Sequence, residues 1–151
     1  MKLLLLHCTE SGQKVLARLP HTGYRLPSTV RTMELKCTGR INEELLLSSL
    51  EDGFDAVLVV GCHRENCKYL DGNLRAERRV QRVARMLADA GITDKKVDML
   101  LVGPDEGAKL AARIARLLES PGDAAAGNPA PAGPAAGESA AAVGARSGGK
   151  K

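Results

Sequence analysis

Short apolar runs alternate with longer amphipathic stretches along the first 120 residues of the chain. The apolar runs predict four strands, at Lys2–Leu6, Thr29–Leu35, Asp55–Gly61 and Lys96–Gly103. They are apolar throughout instead of alternating with polar residues, which is typical of parallel strands covered on both faces.

A helical segment follows each predicted strand. The second opens with Asn42, a suitable N-cap, and ends at Gly53. The third places Ala76, Val80 and Val83 on one face and ends at Gly91. This alternation predicts an α/β fold with a four-stranded parallel sheet in a three-layer, flavodoxin-like or Rossmann-like domain. If the strand order is 2-1-3-4, as in flavodoxin-like folds, the first three strands are neighbours.

The C-terminal segment has a different composition. Residues 121–151 are mostly alanine, glycine and proline, with Val143 as their one large apolar residue. Such a segment buries too little surface to offset its ordering entropy, which predicts a disordered tail. We therefore assign residues 1–120 to one folded domain.

Charge and composition exclude some functional classes. The formal net charge is +4 and the chain has two tyrosines, one phenylalanine and no tryptophan. Weak basicity and so few aromatic rings argue against a nucleic-acid-binding surface.

The N-terminal stretch MKLLLLHC has an apolar run of only four leucines, and His7 precedes Cys8. It does not fit a secretory leader, and no later stretch is long enough to insert in a membrane, so we expect a soluble, cytoplasmic protein.

All four cysteines follow predicted strands. Cys8 comes after the first strand, Cys37 after the second, and Cys62 and Cys67 after the third. Because parallel strands end at the same edge, the four thiols are expected to meet beside the crevice in which such folds bind ligands.

Three interpretations of these thiols are open. Free cysteines are often small buried apolar residues. Four thiolates also suit tetrahedral zinc, although the spacing lacks the repeated C-x2-C of structural zinc sites. They also suit an iron–sulfur cluster, and the C-x4-C of Cys62 and Cys67 occurs among ligands of two-iron clusters.

A series of short motifs carries a family resemblance. A cysteine, small residue, glycine and arginine precede a helix, and a later strand ends in glycine–cysteine–histidine. A second cysteine, an aromatic residue, glycine–asparagine and an arginine-rich helix follow. The matching positions are Cys37, Gly39, Arg40, Gly61, Cys62, His63, Cys67, Tyr69, Gly72, Asn73, Arg78 and Arg79. In this order they resemble the delta-subunit family of methyl-viologen-reducing hydrogenases.

The resemblance implies an electron-transfer subunit of an oxidoreductase complex that carries one [2Fe–2S] cluster. Cys8, Cys37, Cys62 and Cys67 would be its ligands. The partners it implies are a heterodisulfide-reductase-like subunit with FAD and iron–sulfur clusters, and a second redox subunit such as a hydrogenase. Unlike most family members, this chain has a single cysteine and no tryptophan after the first strand.

The stretch HCTESGQK supports an alternative of another class. A cysteine in a loop between strand and helix, followed by a cation, is similar to the loop of thiol-dependent phosphatases and arsenate reductases. Cys8 would be the nucleophile there. Lys14 replaces the usual arginine, and Glu10 would repel an anion.

Several charged residues are predicted to act around the thiols. We expect Arg40, His63 and Lys68 to lie close to the ligands without binding metal. Arg75, Arg78, Arg79 and Arg82 line the third helix and predict either a solvated face or a docking surface for an acidic partner.

Overall fold

The computed structural model describes residues 1–119 and has four strands and four α-helices. The predicted tail at 121–151 lies outside the described residues. The strands are β1 (Leu3–Cys8), β2 (Val30–Leu35), β3 (Ala56–Cys62) and β4 (Lys96–Val102). The helices are α1 (Ser11–Arg18), α2 (Glu43–Glu51), α3 (Gly72–Asp89) and α4 (Gly107–Glu119).

The strands form one parallel sheet, which confirms the predicted fold, and their order β2-β1-β3-β4 is that of flavodoxin-like folds. Leu3 of β1 pairs with Val30 of β2 on one side and with Ala56 of β3 on the other. β1 is therefore hydrogen-bonded along both edges, and the ends of β1, β2 and β3 lie side by side.

Two apolar cores cover the two faces of the sheet. Leu3 and Leu5 of β1 pack in the core that includes α1 and α4. The alternate residues, Leu4 and Leu6, pack in the core that includes α2 and α3. Since successive strand residues point to opposite faces, an unbroken apolar run supplies both cores at once.

Strand β2 departs from the expected pattern. Only Val30 is buried, whereas the next four residues, Arg31 to Glu34, are exposed. An edge strand has one neighbour and, here, little helical cover, so it does not need to be apolar. The prediction that every strand is apolar throughout is wrong for β2.

Strands β1 and β3 extend further than predicted, and each ends on a cysteine. β1 ends at Cys8 and β3 at Cys62. The backbone of both cysteines is thus held by the hydrogen bonds of the sheet.

Across residues 1–119, no helix has both the length and the apolar character that a membrane crossing needs.

Candidate metal centre

The first pair of thiols joins the two central strands. Cys8 and Cys62 are almost completely buried, and their Sγ atoms lie 3.6 Å apart. Two thiolates bound to one tetrahedral metal at about 2.3 Å would be separated by about 3.8 Å. The spacing between these sulfurs is therefore close to that of two ligands of a single metal ion.

The second pair comes from the loops beyond β2 and β3. Cys37 is buried and Cys67 partly exposed, and both sulfurs lie beside Gly72. Charge on Cys67 contributes to the raised pKa of Cys37. Cys37 is the N-cap of a short 3₁₀ helix at Thr38–Arg40, and its sulfur accepts a hydrogen bond from the Gly39 amide at 3.4 Å. A thiolate on Cys62 would act electrostatically on Cys37, which links the two pairs.

The second pair depends on a close approach between two glycines. A Cβ on Gly39 would lie 2.7 Å from Cα of Gly72, and one on Gly72 would overlap the Cys37 sulfur. That added carbon on Gly72 would also lie 3.5 Å from the Cys67 sulfur. The beginning of α3 can therefore approach the Cys37 loop only because neither position has a side chain.

The preceding turn is unusual. Leu70 has φ of 64° and its side chain is 87% exposed. It is the one non-glycine residue with positive φ in the described part of the chain. Its amide bonds to the Cys67 carbonyl at 3.0 Å, so this turn carries the chain directly from Cys67 to Gly72.

Burial favours the protonated thiol at Cys8 and Cys37. Desolvation raises the pKa of Cys8 from 9.0 to about 11, although the Gly12 amide, which donates to Cys8 Sγ at 3.2 Å, acts in the opposite direction. Burial also raises the pKa of Cys37. A metal cation would favour the thiolates by replacing their protons.

These properties argue against a nucleophilic Cys8. A catalytic thiol needs a lowered pKa and access to its substrate. The pKa of Cys8 is raised and its side chain is buried. Lys14, the cation that the phosphatase interpretation requires, lies 3.7 Å from Glu10 and is paired with it.

Asn73 organises the Cys62 side of the site, a role that the sequence pattern did not indicate. This fully buried side chain donates from Nδ2 to the carbonyls of Cys62 at 3.0 Å and His63 at 2.8 Å. Arg64 Nη2 lies 2.7 and 2.8 Å from the two carboxylate oxygens of Glu77 on α3. The Cys62–Cys67 loop is thus attached to α3 at two points.

His63 and Lys68 each contact a carboxylate at the rim of the site. His63 Nε2 lies 2.6 Å from Glu106 Oε2, and the Gly103 amide donates to the same carboxylate. Lys68 Nζ lies 2.9 Å from Glu10, joining the Cys67 loop to the loop after Cys8. This pairing lowers the pKa of Glu10 and raises the pKa of Lys68.

Arg40 is exposed at the end of the 3₁₀ helix that follows Cys37. His7, which the sequence places beside Cys8, is buried, and desolvation lowers its pKa.

The four arginines expected to dock a partner separate into two groups. Arg75, Arg78 and Arg82 are exposed, and two of them make surface ion pairs, Arg75 with Asp71 and Arg82 with Glu43. Arg79 is only partly exposed, and its Nη1 contacts the carbonyls of Gly39 at 2.8 Å and Ile41 at 2.5 Å. The structure therefore gives Arg79 contacts within the domain that the charge pattern did not predict.

The donor set fits a thiolate-bound metal, but the thiols stand as two pairs. Within residues 1–119, no three His, Cys, Asp or Glu side chains converge closely enough to form a ready metal site. The 3.6 Å spacing of the Cys8 and Cys62 sulfurs, and the packing of the Cys37 and Cys67 sulfurs against Gly72, are compatible with a metal centre that draws the pairs together.

The family of this chain follows from its similarity to known proteins. The model of the methyl-viologen-reducing hydrogenase delta subunit matches residues 3–120. The chain belongs to this family. The match covers the whole sheet and all four cysteines, and it confirms the resemblance predicted from the motifs after Cys37.

Individual relatives of this delta-subunit domain occur in two kinds of protein. The first kind is the iron-sulfur subunit of F420-non-reducing hydrogenases. That of the vhu enzyme of Methanopyrus kandleri is 36% identical over 113 residues, which are 74% of this chain and 85% of the relative. That of Archaeoglobus profundus is 35% identical over 88 residues, 58% of this chain and 64% of the relative.

The second kind is much longer. One subunit of the ferredoxin/F420H2-dependent CoB-CoM heterodisulfide reductase of Methanosarcina acetivorans is 31% identical over 90 residues. Those residues are 60% of this chain but only 11% of the relative. A segment similar to this delta-subunit domain is therefore one small part of that reductase polypeptide.

The glycine contact gives a steric prediction. We expect Gly39→Ala to lower the free energy of unfolding by about 1–3 kcal/mol, because the new methyl group meets the Gly72 backbone, which cannot rotate away. Denaturant unfolding of the metal-free protein measures the effect. Gly103→Ala, at the same edge, is the control, since its added carbon would meet His63 at an ordinary 3.5 Å. Equal stability of the two variants would contradict the proposed packing.

The raised pKa of Cys8 predicts a pH dependence. The folded state favours the protonated thiol, so the stability due to this group is fully present below pH 9.0 and is lost as the pH rises towards 11. The slope cannot exceed about 1.4 kcal/mol per pH unit for one group. Unfolding of the metal-free protein between these pH values, compared with Cys8→Ala, measures it. An identical slope in the variant would contradict the assignment.

Proposed function

We propose that this protein is an electron-transfer subunit that holds one [2Fe–2S] cluster through Cys8, Cys37, Cys62 and Cys67. The observation that carries the proposal is the position of four cysteines at one edge of the sheet of a hydrogenase delta-subunit domain, with Cys8 in contact with Cys62 and with Cys37 and Cys67 on either side of Gly72. Four cysteine thiolates are the usual ligand set of such a cluster.

The surroundings of the thiols support a redox role over hydrolysis. When bound, the cluster would supply one-electron chemistry, and the protein would supply burial, amide hydrogen bonds and access. The Gly12 and Gly39 amides donate to the sulfurs of Cys8 and Cys37, and such bonds favour negative charge on sulfur. Cys67, the most exposed of the four thiols, would provide the side closest to a partner.

The relatives support a choice of partners. Related segments are separate iron-sulfur subunits of F420-non-reducing hydrogenases in some organisms and part of a heterodisulfide reductase polypeptide in others. A module that is joined covalently to a reductase polypeptide in one organism is expected to work next to such a polypeptide in another. We propose a heterodisulfide-reductase-like flavoprotein as one partner and a hydrogenase or another dehydrogenase as the other.

Metal analysis tests the cluster. Protein prepared anaerobically is expected to contain about two iron and two sulfide per chain. Cys62→Ser and Cys67→Ser should lose or distort the visible and paramagnetic resonance spectra, because a hydroxyl is a poor substitute for a soft thiolate. Cys67→Ala would separate loss of the ligand from residual binding by serine oxygen.

Other results would change the conclusion. One zinc per chain without sulfide would indicate a structural zinc domain and overturn the electron-transfer proposal. A normal cluster in Cys67→Ser would remove Cys67 from the ligand set.

Charge reversal tests docking. The variant with Arg75, Arg78 and Arg82 changed to glutamate is expected to keep its cluster but to bind a purified heterodisulfide-reductase-type flavoprotein at least about ten-fold more weakly at low salt. The difference should shrink as salt screens the charges. Reversal of three exposed arginines elsewhere, Arg25, Arg31 and Arg116, is the control with the same change in net charge. Equal affinity of the two variants would show that the exposed arginines of α3 are a solvated face.

A further inference from the structure

Arg79 differs from the neighbouring arginines of α3 in its position on the helix. Ala76, Val80, Val83 and Leu87 form the buried stripe of α3. At about 100° per residue, Arg79 lies about 70° from the centre of this stripe, whereas Arg78 lies about 170° from it. Arg79 can therefore reach past the packed face, and Arg78 points into solvent.

The contacts of Arg79 are with the loop that carries Cys37. Its Nη1 bridges the carbonyls of Gly39 and Ile41, two and four residues after Cys37. The same loop has internal hydrogen bonds between residues three apart. The Arg40 amide donates to the Cys37 carbonyl and the Ile41 amide to the Thr38 carbonyl, each at 3.1 Å. Arg79 thus connects a compact turn to a helix that is remote from it in sequence.

The other cysteine loop is attached to the same helix. Asn73 of α3 holds the carbonyls of Cys62 and His63. At the start of the same helix, directly before Asn73, Gly72 lies against the sulfurs of Cys37 and Cys67. One rigid element therefore contacts both loops, and it can fix the distance between their thiols.

We infer that Arg79 is a positioning residue for Cys37. Its guanidinium holds the Cys37 loop against α3 and so sets the position of the Cys37 thiol relative to Cys67. This inference rests on the proposed function, because Cys37 and Cys67 matter as the proposed ligands. The contacts of Arg79 from which it is argued are those of the metal-free chain. Arg79 then makes its contacts within the domain, and the proposed docking surface consists of the exposed Arg75, Arg78 and Arg82.

The alkylation rate of each thiol in the metal-free, full-length protein tests the inference. Peptide mapping by mass spectrometry after timed treatment with iodoacetamide gives the rates separately. In Arg79→Gln we expect Cys37 to react at least about ten-fold faster, because loss of two charge-assisted hydrogen bonds lets the loop open locally. Cys8 should keep its rate within about two-fold, since its loop has no contact with Arg79.

Two further variants complete the design. Arg78→Gln removes the same charge one residue away and should change neither rate. Arg79→Lys keeps a donor without the planar fork and should give an intermediate rate at Cys37. A faster reaction at Cys37 alone supports the inference. No change in Arg79→Gln, or an equal increase at Cys8 and Cys62, overturns it, because the residue would then have no role or only a general one.

Iron analysis separates this inference from the proposed function. If the unsubstituted protein binds iron and sulfide, Arg79→Gln should retain less of them or show a shifted spectrum, and Arg78→Gln should match the unsubstituted protein. If the unsubstituted protein binds neither, the proposed cluster is wrong, but the alkylation rates still decide whether Arg79 positions Cys37.

Discussion

The pairing of β1 with strands on both of its edges is the constraint on which the site depends. Leu3 is in register with Val30 on one side and Ala56 on the other, and both faces of the strand are covered by helices. Because β2 and β3 run parallel to β1, their carboxyl ends are brought to the same edge. Cys8 and Cys62 then meet as strand residues, with little freedom to move.

The second pair of thiols is held in a different way. Cys37 and Cys67 lie on loops, and the sheet does not fix loops beyond its edge. Helix α3 provides this support through Asn73, Gly72 and Arg79, which contact the two loops by hydrogen bonds and by close backbone packing. One half of the site is therefore set by strand register and the other half by the position of a helix.

The sheet order and the shared edge of the cysteines could be predicted because apolar runs and strand ends are local features of the sequence. The predicted ends of the strands were less accurate. The first strand was predicted to end at Leu6, before the polar His7, but His7 and Cys8 are buried residues of β1. Arg79 was grouped with its exposed neighbours because a run of arginines does not show where each side chain points. Its position three residues after Ala76 and four before Val83 was a usable signal. No feature of the sequence indicated the left-handed backbone of Leu70, since leucine rarely adopts this conformation.

The thiols of Cys8 and Cys62 are separated by 54 residues of sequence and touch only when β1 has paired with β3. During synthesis, the first of these cysteines leaves the ribosome long before its neighbour, and α3, which supports the remaining pair, follows later still. Closing a loop of this length has an entropic cost that only the finished sheet offsets. A partly synthesised chain therefore exposes isolated thiols, and the arrangement of all four can be completed only after the part of α3 that contacts both loops, Gly72 to Arg79, has been made.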